Sequence, residues 1–340
     1  MEIKLSAVDL YKVSNIPVYK EDKVRNKAYI SYGEDNRWNF YLYGLYKDVA
    51  TLSTLINGSS DYVVGNGVED DYEVNSKGMM MSDLIKKCAF DRFLYGGFAI
   101  QVIRDYLGRV SELYYIPFGY LRSNEDNTEF WYSKEWDVWS PKTVKYPVFK
   151  VDSNDPASIY YFKGIADSTY PICPFNGAII SCEIERKINK FHLNEISNNF
   201  SGNTVINFNN GQPNDEQKAE IERLVNAKFS GEENSGRVLI SYNDSKDNEV
   251  TISKLAEDGL DDRYKDLAER SRDQIFTAFR ATSSLFGLPT STGFNAEEYK
   301  GQFEIFNRTV ITPIQKEIKK SIKKITDKDI KIIPFSLQYD

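Results

Sequence analysis

Residues 281–303 read ATSSLFGLPTSTGFNAEEYKGQF. Gly287 and Pro289 close an incoming helical pattern. The outgoing helix has a capping box, with Asn295 as N-cap and Glu298 at N3 able to reach back to its N–H. Phe294 before the cap faces Tyr299 at N4, a hydrophobic staple. Between the two helices lie Pro289, Thr290, Ser291, Thr292, Gly293, Phe294 and Asn295, mostly small and polar with one large apolar side chain. A loop so held between firm helices is compatible, taken alone, with an ordinary solvent-exposed connection. The order of the surrounding segments gives it meaning.

Downstream, Tyr299, Phe303, Phe306, Val310, Ile314, Ile318, Ile322 and Ile325 trace one helical stripe. It runs through Pro313, which should kink the helix. Upstream, a helix is predicted from about Leu260 to Arg280. Tyr264, Leu267, Ile275, Phe276 and Phe279 lie on one side of it, and Asp262, Asp266, Glu269, Arg270 and Asp273 on the other. A helix of similar length is predicted from about Asn176 to Asn198, ~35 Å long. Its stripe is Ile180, Ile184, Ile188 and Phe191, fading at Glu195.

Residues 202–258, between these two helices, read as a compact α/β insert. NTVINF, RVLISY and EVTISKL are strand-like, and PNDEQKAEIERLVNAKF is a helix. Asn214 and Gln217 form its capping box, and Ile221, Leu224, Val225 and Phe229 its apolar face.

The first 170 residues are mixed and aromatic. WNFYLYGLYKDVATLSTLI (38–56) carries Trp38, Leu42, Leu45, Val49, Leu52 and Ile56 on one helical face. DYVVGNG (61–67) reads as a short strand and turn, and Ser82 as the N-cap of a helix through about Leu94. AIQVIRD and VSELYYIPF form a hairpin about Leu107-Gly108. Further strand signals are FWYS (130–133), YPVFKVD (146–152) and SIYYFKG (158–164).

Composition excludes several function classes. The chain of 340 residues is 41% hydrophobic and 27% charged, a globular balance. Its one histidine, His192, leaves no room for Ser-His-Asp, Cys-His or multi-His zinc chemistry. Neither GxGxxG nor GxxxxGKS occurs, and Cys88, Cys173 and Cys182 form no CxxC, so reduced thiols are expected. No run approaches ~18 apolar residues, so no membrane span is expected, and the N-terminus lacks signal-peptide character. A net charge of −7 argues against a protein that grips nucleic acid by neutralising many phosphates. The basic run KEIKKSIKKITDKDIK (316–331) could contact DNA or a membrane, or be a solvated helix end that complements the dipole.

In four places the chain resembles the portal (head–tail connector) proteins of tailed bacteriophages. They are LYGGFAIQVIRDYLGRVSELYYIPFGYLRS (94–123), STYPICPFNGAIISCEIERKINKFHLNEISNNFSG (168–202), GEENSGRVLIS (231–241) and QIFTAFRATSSLFGLPTSTGFNAEEYKGQFEIFNRTVITPIQKEI (274–318). The last is the most specific: helix, apolar-Gly-Pro segment, polar loop, then a long helix with a central Pro. The resemblance covers roughly residues 80–325 and implies an α+β fold. In it, residues 1–170 are the wing, 171–201 and 259–281 the stem helices, and 202–258 the clip. The tunnel-loop region is 282–295, and 296–340 hold the kinked helix returning to the wing, with a crown short or absent.

The resemblance further implies a homo-oligomeric ring, typically of twelve subunits, at one capsid vertex. Double-stranded DNA would pass weakly bound through its channel. The terminase large subunit, the major capsid protein and a head–tail adaptor would be its partners. The loop Pro289–Asn295 would face DNA, and Asp262, Asp266, Glu269 and Asp273 are channel-facing candidates on the stem. No catalytic residue, metal, cofactor or membrane contact is expected, and the location implied is the virion. Two alternatives stand beside this reading. One is an intracellular metal-dependent nucleic-acid-processing enzyme using Glu69, Asp70, Asp71 and Glu73, or Asp258, Asp261 and Asp262. The other is a different ring-forming virion connector.

Overall fold

The computed structural model describes residues 19, 28–166, 168–197, 204–208, 213–229, 238–242, 260–288 and 296–335. The chain divides into two compact units, Met1–Glu183 with Ser271–Asp340, and Ile184–Arg270.

In the larger unit, α1 (Trp38–Asp48) and α2 (Ala50–Val64) replace the single helix predicted for 38–56. The break falls at Val49, whose φ of −113° and ψ of 105° are extended. Its side chain is nevertheless fully buried, as are Leu42, Leu45, Leu52 and Ile56. The apolar face is thus kept across the break. The stretch 61–67 also departs from expectation. It continues α2 to Val64 because Leu55, Ile56, Ser59 and Val63 extend the buried helical stripe, and only Gly65 to Gly67 form the turn.

Helix α3 (Met81–Leu94) begins one residue before the predicted N-cap Ser82. Asp83 accepts the Met80 N–H at 3.4 Å, and the Asp71 carboxylate accepts the N–H of Ser82 at 3.2 Å and its hydroxyl at 2.5 Å. A carboxylate from outside the helix therefore satisfies one of its free first-turn donors.

The hairpin forms as predicted, from β1 (Gly97–Arg104) and β2 (Val110–Ile116). β6 (Ala157–Lys163) pairs antiparallel with the other edge of β1, giving the order β2-β1-β6. Phe98, Ala99, Ile100 and Val102 of β1 are fully buried, so this central strand is covered on both faces over its first half. A second antiparallel sheet has the order β3 (Leu121–Ser123), β4 (Glu129–Tyr132), β5 (Val144–Pro147).

Arg122, fully buried on β3, ties this sheet to α1. Its guanidinium donates to Asn39 Oδ1 at 2.9 Å, Asn36 O at 2.9 Å and Gly119 O at 2.9 Å, and lies 4.6 Å from the Trp136 ring centroid. Burial lowers its pKa to about 10. These neutral oxygens and aromatic faces must satisfy a cation that has left water.

The outgoing stripe of the C-terminal segment is confirmed. Phe303, Phe306, Val310, Ile314, Ile318, Ile322 and Ile325 are buried, and Tyr299 packs against the same core. Helix α7 (Ala296–Phe306) passes through a π-helical turn, Asn307–Ile311, into α8 (Thr312–Thr326). Pro313 has no N–H, and its ring crowds the carbonyl four residues back. The irregularity therefore takes the form of a widened turn just before the proline.

Helices α4 (Ile179–Ser197) and α6 (Leu260–Ala278) begin and end close to the predicted limits. The stripe of α4 needs correction. Ile180 is 60% exposed and Phe191 is 38% exposed, whereas Ile179, Ser181, Cys182 and Ile188 are buried. On α6, Ile275 and Phe276 are buried, as is Phe279 just past its end, but Leu267 is exposed.

Within the smaller unit, β7 (Thr204–Phe208) and β8 (Val238–Tyr242) pair in parallel, and α5 is Asp215–Phe229. The predicted capping box is present. Asn214 Oδ1 accepts the Gln217 N–H at 2.8 Å, and Gln217 Oε1 accepts the Asn214 N–H at 3.2 Å. Leu224, expected on the apolar face of α5, is exposed. The predicted strand EVTISKL lies outside the described residues.

Candidate channel-loop anchor

The loop residues Pro289, Thr290, Ser291, Thr292, Gly293, Phe294 and Asn295 lie outside the described residues. Their two flanks are described, and they are joined. On the incoming side, Ser283–Phe286 form a 3-10 turn closed by Gly287 at φ 78°, a left-handed conformation that glycine adopts without strain. On the outgoing side α7 starts at Ala296.

Gln302, two turns into α7, clasps both flanks. Its Oε1 accepts the hydroxyl of Thr282 at 2.8 Å and also that of Ser284. Its Nε2 donates to Glu298 Oε1 at 2.9 Å. One side-chain amide thus spans the segment that precedes the loop and the helix that follows it.

Beneath this clasp lies an aromatic cluster. Phe286 meets Phe276 at 6.0 Å, Tyr62 at 6.0 Å and Phe306 at 5.9 Å between ring centroids. Tyr62 also meets Phe303 at 5.8 Å and Phe306 at 5.6 Å, and its hydroxyl donates to Leu285 O at 3.3 Å. Burial, with a hydrogen bond to Tyr299, holds the Tyr62 phenol well above its ordinary pKa, so it acts as a neutral donor. Gly58 on α2 makes this packing possible, since a Cβ there would stand 2.6 Å from Phe286 Cε1. Sequence reading missed Gln302, Tyr62 and Gly58. No local pattern marks a glutamine that bonds twenty residues back, or a glycine that faces a ring distant in sequence.

The stem candidates Asp262, Asp266, Glu269 and Asp273 are all exposed on α6, at steps of four, three and four. Asp273 lies 3.7 Å from the Arg272 guanidinium. Asp262, Asp266 and Glu269 belong to the smaller unit and Asp273 to the larger.

Two of the acidic residues weighed for a metal have other partners. Glu69 pairs with Lys331 at 2.9 Å, and Asp71 is bonded to Ser82. Asp258 lies outside the described residues, and the side chain of Asp261 is not described. Among the described residues, no group of three or more His, Cys, Asp or Glu side chains is arranged to hold a metal. His192 is exposed and lies edge-on to Tyr264 at 5.9 Å. Cys88, Cys173 and Cys182 are buried free thiols. No helix among the described residues is long and apolar enough to cross a membrane.

A model of the phage portal protein family matches residues 73–331. The chain belongs to that family. Solved structures share the portal-family fold at low sequence identity. A chain of the virion of a native gene transfer agent particle is 13% identical, with a TM-score of 0.57 over 86% of this chain and 83% of that one. A chain of the neck of the native particle, computed with C12 symmetry, is 12% identical, with a TM-score of 0.56 over 86% and 83%. An HK97-family phage portal protein from Corynebacterium diphtheriae is 15% identical, with a TM-score of 0.52 over 83% of this chain and 90% of that one. A search of curated proteins found no match. The α+β, portal-like fold expected from the sequence is therefore the fold of this family member.

Proposed function

We propose that this portal-family chain is the structural portal of a virion, assembled as a homo-oligomeric ring at a capsid vertex. The observation that carries this reading is the family match over residues 73–331, which includes both flanks of the loop and the Gln302 clasp. The C12 symmetry of the gene transfer agent neck supports a ring of twelve. In this reading the ring is the channel for DNA packaging and ejection. It contacts the major capsid protein and docks the terminase large subunit and a head–tail adaptor. Residues 1–170 act as the wing, 171–201 and 259–281 as the stem, and 202–258 as the clip. The chain works without catalysis, metal or cofactor, and assembles in the host cytoplasm.

Pro289–Asn295 are assigned to the channel wall. A wall must touch DNA without holding it. Small hydroxyl and amide groups can meet phosphates without the salt-sensitive grip of a cation. The clasp at Gln302 and the aromatic base under Phe286 would anchor such a loop while its tip yields to a moving duplex. Asp262, Asp266, Glu269 and Asp273 are assigned to the stem surface facing the channel, where repeated carboxylates keep the duplex off the wall.

Thr292→Lys tests the loop assignment. It adds one cation per subunit at the narrowest point. Packaging should slow and become salt-dependent, with subunit stability shifted by less than about 0.5 kcal/mol. Normal packaging at all salt concentrations would remove the channel role from this loop.

A further inference from the structure

Helix α8 presents two opposite faces. Ile314, Ile318, Ser321, Ile322 and Ile325 are buried against the core. Lys316, Lys319, Lys320, Lys323 and Lys324 recur at the same steps of three and four on the opposite side. Ile318 and Ile322 are fully buried, so the rotation of the helix is fixed and the lysines cannot turn inward.

These lysines are not equally committed. Lys323 pairs with Asp329 at 2.8 Å, and Lys324 lies 5.9 Å from the Tyr160 ring centroid. Both sit in the last turn, where the helix dipole alone accounts for a cation. Lys316, Lys319 and Lys320 lie further back, beyond that influence. They form no ion pair among the described residues. Glu317, the one acid within the helix, is held by Arg92 at 2.8 Å. An acidic chain therefore carries a localised cationic face whose charge its own described residues do not neutralise.

We propose that the face formed by Lys316, Lys319 and Lys320, with Lys323 and Lys324 at its end, binds the phosphate backbone of double-stranded DNA. Every cation on it is a lysine, a flexible point charge suited to a run of phosphates. A specific acidic protein partner would favour the fixed fork of arginine. The proposal rests on the portal reading for the presence of DNA beside the molecule. It does not need residues 289–295 at the channel.

The test measures binding of the full chain to a duplex of about 30 base pairs at about 50–200 mM salt. It compares Lys316→Gln/Lys319→Gln/Lys320→Gln with a control, Lys47→Gln/Lys134→Gln/Lys142→Gln, that removes the same charge at exposed lysines elsewhere. In the helix variant the slope of log affinity against log salt should become shallower by about 2 to 3, at about 0.9 per phosphate released. The control should keep the wild-type slope. Thermal melting of both variants checks that they fold. No DNA binding by the wild type, or equal slopes in the two variants, overturns the proposal. So does a helix variant that loses ring assembly while keeping its DNA binding, because the face then meets protein.

Discussion

Gln302 Oε1 accepts the hydroxyl of Thr282 at 2.8 Å, across the chain segment that holds the proposed channel loop. The same oxygen takes Ser284, and the amide nitrogen takes Glu298. Both flanks of the loop therefore depend on one side chain. Gln302→Ala removes these bonds from a partly exposed site, at a cost of about 1–2 kcal/mol. The larger effect should be local. Amide hydrogen exchange should accelerate over 282–288 and the first turns of α7, with little change in α2 or α8. Uniform exchange rates in variant and wild type would show that the clasp anchors nothing.

Gly58→Ala should destabilise the protein, against the usual gain of about 1 kcal/mol when alanine replaces glycine inside a helix. The new methyl would stand 2.6 Å from Phe286 Cε1, in a cluster already closed by Tyr62 and Phe306. Overpacking of this kind costs about 1–3 kcal/mol. Phe286→Leu in the same chain should recover part of the loss. Denaturant unfolding of the two single variants and the double variant measures the coupling. A stabilised Gly58→Ala would mean that Phe286 is not held against α2.

How much of this was legible in the sequence depended on whether the signal was periodic. The stripe from Phe303 to Ile325 and the Asn214–Gln217 capping box were readable because each repeats or closes within a turn or two. The α1–α2 break was not, because Val49 is neither glycine nor proline and keeps its place in the apolar face. Ile180 fitted a helical stripe yet faces outward, since Ile179 and Cys182 contact the core instead. Gln302, Gly58 and Arg122 act through partners distant in sequence, and no spacing rule reveals such pairs.

Asp91 predicts a pH dependence of stability. It is buried on α3, accepts the Phe118 N–H at 2.8 Å, and has its pKa raised by burial to about 8. The folded state therefore holds this proton more tightly than the unfolded chain, whose carboxyl titrates near ~4. The contribution is full below ~4 and is lost as pH rises from there to about 8. Asp91→Asn keeps an acceptor for Phe118 without the titration. Its melting temperature should vary less than that of the wild type between about pH 5 and 8. Parallel pH profiles for the two proteins would show that Asp91 is already ionised in the fold.

Cryo-electron microscopy of the purified full-length protein, alone and with duplex DNA, tests the central claim most directly. A portal predicts closed rings around an axial hole, with residues 289–295 at the wall of that hole and Gln302 at the base of the loop. A protein that stays monomeric, or a ring with residues 289–295 on its outer rim, would contradict the account.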